Sequence, residues 1–258
     1  MAVIELTGLQ LTLALGLMAI AIALSAWQRL GLTGSLAIAT GRTVLQLLGV
    51  GYLLAVVFAW RSPWAVLGIL GVMLTVAAWV ARNRISKQVK GLLVLVLGTL
   101  LASTALTMAY IILVVMRPEP WYEPRYLVPL TGMVLGNTMT AAAIAGERLV
   151  NALQQNRTAI ETHLSLGATP AQAIHPYRRE AITAGLIPTL NAMMVVGIVT
   201  LPGIITGQLL AGADPLNAAL YQMMIMFMLA FATLLAALLI TLGLRRRFFN
   251  AAAQLIVP

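Results

Sequence analysis

Stretches of roughly 20 apolar residues recur from one end of this chain to the other, and they decide what it can fold into. A helix rising 1.5 Å per residue needs about 20 such residues to cross the hydrocarbon core of a bilayer. Seven stretches qualify, at about 5–27, 43–60, 63–81, 91–116, 126–146, 181–210 and 215–244. Each is apolar on all sides, as a helix surrounded by lipid and protein requires. Only 9% of the 258 residues are charged, against about a quarter in soluble domains. The expectation is an all-α polytopic membrane protein of about seven transmembrane helices, forming a single membrane domain over residues 1–258. The first run lacks a basic leader and a small-residue cleavage site, so it reads as a span and not a removable signal. Residues 28–42, QRLGLTGSLAIATGR, are too short and glycine-rich to span and read as an interfacial segment.

Charge sets the orientation. With the N-terminus outside, Arg29, Arg42, Arg82, Arg84, Lys87, Lys90, Arg148, Arg157, Arg178, Arg179 and Arg245 to Arg247 share one side, which leaves Arg61, Arg117 and Arg125 opposite. Basic residues collect in cytoplasmic loops, so the chain reads as N-out and C-in. The net charge of +9 then reflects topology, and no nucleic-acid partner is expected. The lipid bilayer is the first partner. The absence of cysteine excludes disulfides, thiolate metal sites and a cysteine nucleophile.

Residues 147–180 are a polar island on the predicted cytoplasmic side. They hold both histidines, the acids Glu147, Glu161 and Glu180, and the bases Arg148, Arg157, Arg178 and Arg179. Inside the island the punctuation is that of helix, sharp turn, short helix. Gly167 suits the left-handed position that ends one helix. Thr169 suits the next N-cap, with Pro170 at the first helical position and Gln172 closing a capping box. A short helix held across the ends of two spans has the shape of a coupling helix that seats in a partner ATPase. A solvated loop that merely joins two spans is the other reading of the same residues. His163 and His175 flank the turn without metal-ligand company and read as surface residues.

Polar groups inside spans are costly and face a cavity or another helix. Asn137, Thr140, Asn191, Gln208 and Gln222 are therefore the candidate translocation-path residues, and Leu201-Pro202-Gly203 marks a hinge at Pro202 and Gly203. Gly132, Gly136 and Thr140 form a small face suited to close helix packing. Met193, Met194, Met223 and Met224 are candidate metal contacts, although thioethers favour copper(I) over iron(II) and are commonly adaptable packing. No carboxylate lies deep in a span. Glu5, Glu119, Glu123 and Asp214 fall on the outer side, as an exit vestibule or as ordinary loop charges.

Glu161 followed after five residues by Gly167 resembles the start of the EAA-type coupling loop of ABC-transporter permeases, without the Ile-x-Leu-Pro that ends that loop. The chain more closely resembles the FetB-type iron-export permeases, whose relatives include plant aluminium-tolerance permeases. The matching stretches are Gly136-Asn137-Thr138-Met139, LSLGATPAQA (164–173), LIPTLNAMMVVGIVTLPG (186–203), TGQLLAGADP (206–215) and YQMMIMFML (221–229). The resemblance implies a permease subunit in the bacterial inner membrane, exporting iron or another metal ion. It implies two permeases and two soluble ATPases per complex, with coupling through Glu161, Leu164, Ser165, Gly167, Ala168, Thr169, Pro170 and Gln172. No G-x-x-x-x-G-K-[ST] is present, so ATP and Mg²⁺ belong to the partner and this chain binds no cofactor. Plant relatives leave a nucleotide sugar open as cargo, and a stand-alone secondary transporter is the reading from another class. A membrane enzyme is disfavoured by the lack of H-E-x-x-H and of any histidine within a span.

Overall fold

The computed structural model describes residues 7–60, 62–87, 89, 91–250 and 252–256. Glu5, Arg61 and Lys90 lie outside them. The described residues are helical nearly throughout: α1 (Gly8–Trp27), α2 (Thr33–Trp60), α3 (Pro63–Ile85), α4 (Leu92–Tyr110) continuing as a π-helical segment (Ile111–Met116), α5 (Pro124–Gln155), α6 (Arg157–Ser165), α7 (Pro170–Ala173), α8 (His175–Val195), α9 (Gly203–Leu210) and α10 (Pro215–Phe248). Among the described residues, six helices are long and apolar enough to cross a membrane: α1, α2, α3, α4 with its π-helical extension, α5 and α10.

Two segments differ from the sequence expectation in an instructive way. Residues from Thr33 onward join the second span as one 28-residue helix, because the glycines at 34 and 41 weaken a helix without breaking it once apolar neighbours continue on both sides. The stretch 181–210, expected as one span, is instead α8 and α9 separated by residues 196–202. Arg178, Arg179 and Glu180 occupy the start of α8, so only the remainder of that helix is apolar.

The chain divides into two compact units, residues 1–62 with 210–212 and residues 63–209 with 213–258. In the first, α1 and α2 pack as a helical pair. Thr7 caps α1, accepting from the Gln10 N–H, while its own N–H donates to Gln10 Oε1 at 2.8 Å. Most α1 side chains remain exposed and only Ser25 is buried, as expected of helices whose environment is lipid.

In the second unit α5 is the central helix, packed by α3, α8 and α10, with α4 against α3 and α10. The tightest core lies at one end. There Ile85, Leu92, Leu149, Leu153, Ile160, Ile174, Leu244 and Phe248 are all buried together. The described basic residues of this unit sit at that same end, except Arg117 and Arg125, which lie where α4 and its extension finish and α5 begins. Arg245 to Arg247 in the last turn of α10 also complement the helix dipole.

Five buried hydroxyls are satisfied within their own helices, as an apolar surrounding favours. Ser103, Thr107, Thr138, Thr233 and Thr241 each donate to the carbonyl four residues earlier at 2.7–2.8 Å. Helix α8 approaches α5 through small residues: a Cβ on Gly185 would sit 2.9 Å from the Ala141 carbonyl oxygen and 3.1 Å from the Ala145 Cβ. Gly136, on the face expected to pack closely, instead meets nothing within 4 Å, while Gly132 is met by the Met73 methyl at 3.0 Å. Gly185→Val should therefore destabilise the purified chain by about 1–3 kcal/mol through overpacking. Gly136→Ala should be neutral or stabilising, by up to about 1 kcal/mol. Thermal unfolding in detergent separates the two, and equal melting shifts would contradict this packing.

Candidate functional site

The polar island folds as a doubly capped turn on a buried footing. Asn156, at φ −109°, interrupts α5 and opens α6. At the far end of α6 the Ala168 N–H donates to the His163 carbonyl and the Gly167 N–H to the Leu164 carbonyl, both at 3.0 Å. Those two bonds, with Gly167 at φ +89°, make a complete Schellman motif and satisfy the orphan carbonyls of the helix end. Two residues later Thr169 opens α7: its hydroxyl accepts from the Gln172 N–H, and its own N–H donates to Gln172 Oε1 at 2.9 Å. Pro170 takes the first turn, where a missing N–H costs nothing. Ile160, Ala173 and Ile174 are each at most 1% exposed and fix the footing of the turn in the core. Between them the tip projects outward, with Leu166 81% exposed.

The coupling candidates thus come together on one element. Ser165, Gly167, Thr169 and Gln172 lie exposed on it, Leu164, Ala168 and Pro170 are half-buried, and Glu161 is ion-paired with Arg157 at 2.7 Å one turn away. Arg148 on α5 pairs with Glu180 on α8. The Arg178 Nε donates to Thr241 Oγ1 of α10 at 3.2 Å. Burial, and secondly the neighbouring Arg245 charge, push the Arg178 pKa down from its ordinary value, yet a guanidinium remains protonated throughout the physiological range. The turn is therefore carried on a helix start that is tied to both neighbours.

Sequence reasoning missed the C-terminal turn. Asn250 and Gln254 pair through backbone and side chains, including Nδ2 to Oε1 at 2.8 Å, and Leu255 is buried in the core. This turn and α6 border a groove of about 560 Å³ that includes Arg157, Glu161, Ser165 and Gln254. The two amides four residues apart just after the last span were the available signal.

The second region is the break between α8 and α9. The Val195 carbonyl accepts from the N–H groups of Ile198, Val199 and Thr200 at 2.9–3.3 Å, and Gly197 donates back to Thr200. The break is thus a closed turn with its own hydrogen bonds. Pro202 and Gly203, expected as a hinge within one helix, form the junction at which α9 starts. Beneath this turn lies a cavity of about 280 Å³ lined by Met193, Pro202, Gln222, Met223 and Met226, among others. Gln222 is only 5% exposed, and its Oε1 has no hydrogen-bond partner. An unpaired acceptor in an apolar site costs about 1–3 kcal/mol.

The other path candidates fall elsewhere. Asn137 donates to the Met133 carbonyl at 2.8 Å and Thr140 to the Gly136 carbonyl at 2.9 Å, so their own helix absorbs them. Asn191 is exposed and Gln208 half-buried, neither on the cavity. Met194 is 77% exposed. Met224 lines a different cavity, of about 850 Å³, which Met223 also borders. Among the described residues no group of three or more histidines and carboxylates is placed to hold a metal ion; the polar donors at the break are an amide and thioethers.

Residues 8–249 match the family described as "Uncharacterised protein family (UPF0014)". The chain is 55% identical over 256 residues to UPF0014 membrane protein slr1647 of Synechocystis sp., covering 99% of each chain. It is 34% identical to the Probable iron export permease protein FetB of Escherichia coli, over 98% of this chain and 96% of the relative. It is likewise 34% identical to Protein ALUMINUM SENSITIVE 3 of Arabidopsis thaliana, over 94% and 87%. No solved structure matches the chain. The chain belongs to the UPF0014 family and is a multi-pass membrane protein related to permeases.

If the two caps hold the turn, Thr169→Ala should cost about 1 kcal/mol of local stability, and Gly167→Ala about 1–2 kcal/mol for a left-handed Cβ. Amide exchange at residues 170–174 should accelerate several-fold in the first variant with little change in global melting. Unaltered exchange would mean that the footing, not the caps, orders the turn.

Proposed function

We propose that this chain is the membrane-spanning subunit of an ABC transporter that exports a metal ion, iron foremost, using ATP and Mg²⁺ bound on a separate soluble ATPase. The observation that carries the proposal is the capped turn at 166–172: a rigid, outward-facing tip bearing an exposed leucine, seated on a fully buried footing. A loop that only joins two spans has no need of two complementary caps and a core anchor. The C-terminal turn beside α6 enlarges the same face, so the ATPase meets α6, α7 and the groove next to Gln254. That face lies at the basic end of the bundle, which supports N-out, C-in topology in a bacterial inner membrane, with α8 and α9 together making the crossing that the six long helices leave out.

Transport needs a second site, and the break between α8 and α9 supplies the candidate. Interrupted helices with free polar groups around a cavity are a recurring transporter device. Gln222 Oε1 is the fixed acceptor, Met193 and Met223 are soft walls, and no carboxylate holds a cation tightly. Weak, transient contact suits a cargo that must leave again. The relative named as a probable iron export permease supports iron as the first cargo to try. By the pattern of such transporters, two copies of this chain and two ATPases make the working complex.

Because Leu166 is exposed, Leu166→Asp should leave melting unchanged while weakening ATPase binding roughly 30-fold, as expected for a hot spot worth about 2 kcal/mol. Gly167→Asp should abolish stimulation of ATP hydrolysis by disrupting the turn itself. Binding and stimulation measured with the purified ATPase test this. Full stimulation by both variants would remove the coupling role from this turn.

A further inference from the structure

Beside the capped turn, on a face that the coupling reading does not use, a groove of about 720 Å³ runs between α5 and α8. Its α8 wall carries His175, Arg179, Thr183 and Ile187, four residues apart and so on one helical stripe. From His175 to Ile187 is 12 residues, about 18 Å along the axis, against roughly 15 Å for one leaflet of a 30 Å hydrocarbon core. The groove changes character along that length. At the polar end stand Arg148, Arg179, Glu180 and His175; toward the other end the lining is Ile144, Ala184 and Ile187. Glu180 is neutralised by Arg148. Arg179 has no ionic or hydrogen-bonded side-chain partner among the described residues, so the head of the groove keeps an uncompensated positive charge.

We infer that this groove binds one anionic phospholipid, its phosphate at Arg179 and His175 and one acyl chain along Ala184 and Ile187. The charge selects an anionic headgroup, and basic pockets between helices at the positive side of a membrane protein recur as such sites. The length and polarity gradient select a lipid and not a soluble anion. A phosphate gains charge-assisted hydrogen bonds from a guanidinium, while the apolar end gains contact for the chain. The bound lipid would also brace α8 against α5 immediately below the helix start that carries the turn.

The test is native mass spectrometry of the full-length chain in detergent with phosphatidylglycerol or phosphatidylcholine added. One phosphatidylglycerol per chain should be retained about tenfold more strongly than phosphatidylcholine, the scale of one charge-assisted bond. Arg179→Gln should lose that preference, whereas Arg84→Gln, the same charge change at an exposed site elsewhere, should keep it. Ala184→Phe, which fills the apolar end, should weaken retention of the lipid with Arg179 intact. Equal retention of both lipids, or equal loss in Arg179→Gln and Arg84→Gln, would overturn the site. Displacement of the lipid by sn-glycerol 3-phosphate at equal concentration would also overturn it, by showing a free phosphate-ester site.

Discussion

Water is absent from the interior of a bilayer, so every polar group placed there must be satisfied by the protein itself. The architecture follows from that constraint. Helices supply the backbone bonds, and the buried hydroxyls of Ser103, Thr107, Thr138, Thr233 and Thr241 fold back on their own carbonyls. Against this background the exceptions stand out. Gln222 keeps an unpaired oxygen above a cavity under a broken helix. Thr104 and Thr131 keep unpaired hydroxyls at a cavity of about 450 Å³ between α3, α4 and α5. Among the described residues the buried Ser25 hydroxyl on α1 is unpaired as well, whereas Gln222, Thr104 and Thr131 are unpaired at hollow places.

Helix α8 connects the two regions on which the functional reading rests. It begins at the capped turn and ends at the break, a helix of 21 residues with Pro188 in its interior, about 30 Å long. Its start is tied to α5 by Arg148–Glu180 and to α10 by Arg178–Thr241, and Gly185 lets it lie directly against α5. On the proposed function, a partner seated at the turn meets the start of the same helix whose far end borders the cavity, with Pro188 inside that helix.

Much of this was legible in the sequence, for identifiable reasons. The spans showed because a lipid environment imposes a long apolar period that little else produces. The turn showed because Gly167, Thr169, Pro170 and Gln172 each answer a local backbone requirement, independent of tertiary context. What the sequence hid was tertiary. Asn137, Thr140 and Gln222 look alike as polar residues in spans, yet the first two are absorbed by their own helix and only Gln222 is left over. The split of 181–210 was hidden because Pro202 marks a kink and a helix start equally well, and only the bonds to the Val195 carbonyl decide between them. The C-terminal turn depends on burial of Leu255 against distant residues, which no local pattern announces.

On the proposed function, this chain moves its cargo only with energy delivered by a soluble partner at the capped turn. The direct measurement is iron(II) flux in sealed proteoliposomes containing the chain with and without the candidate ATPase, with and without ATP-Mg. Flux should require both the ATPase and ATP. Equal flux from the chain alone down or against an ion gradient would contradict it and make the chain a self-sufficient carrier.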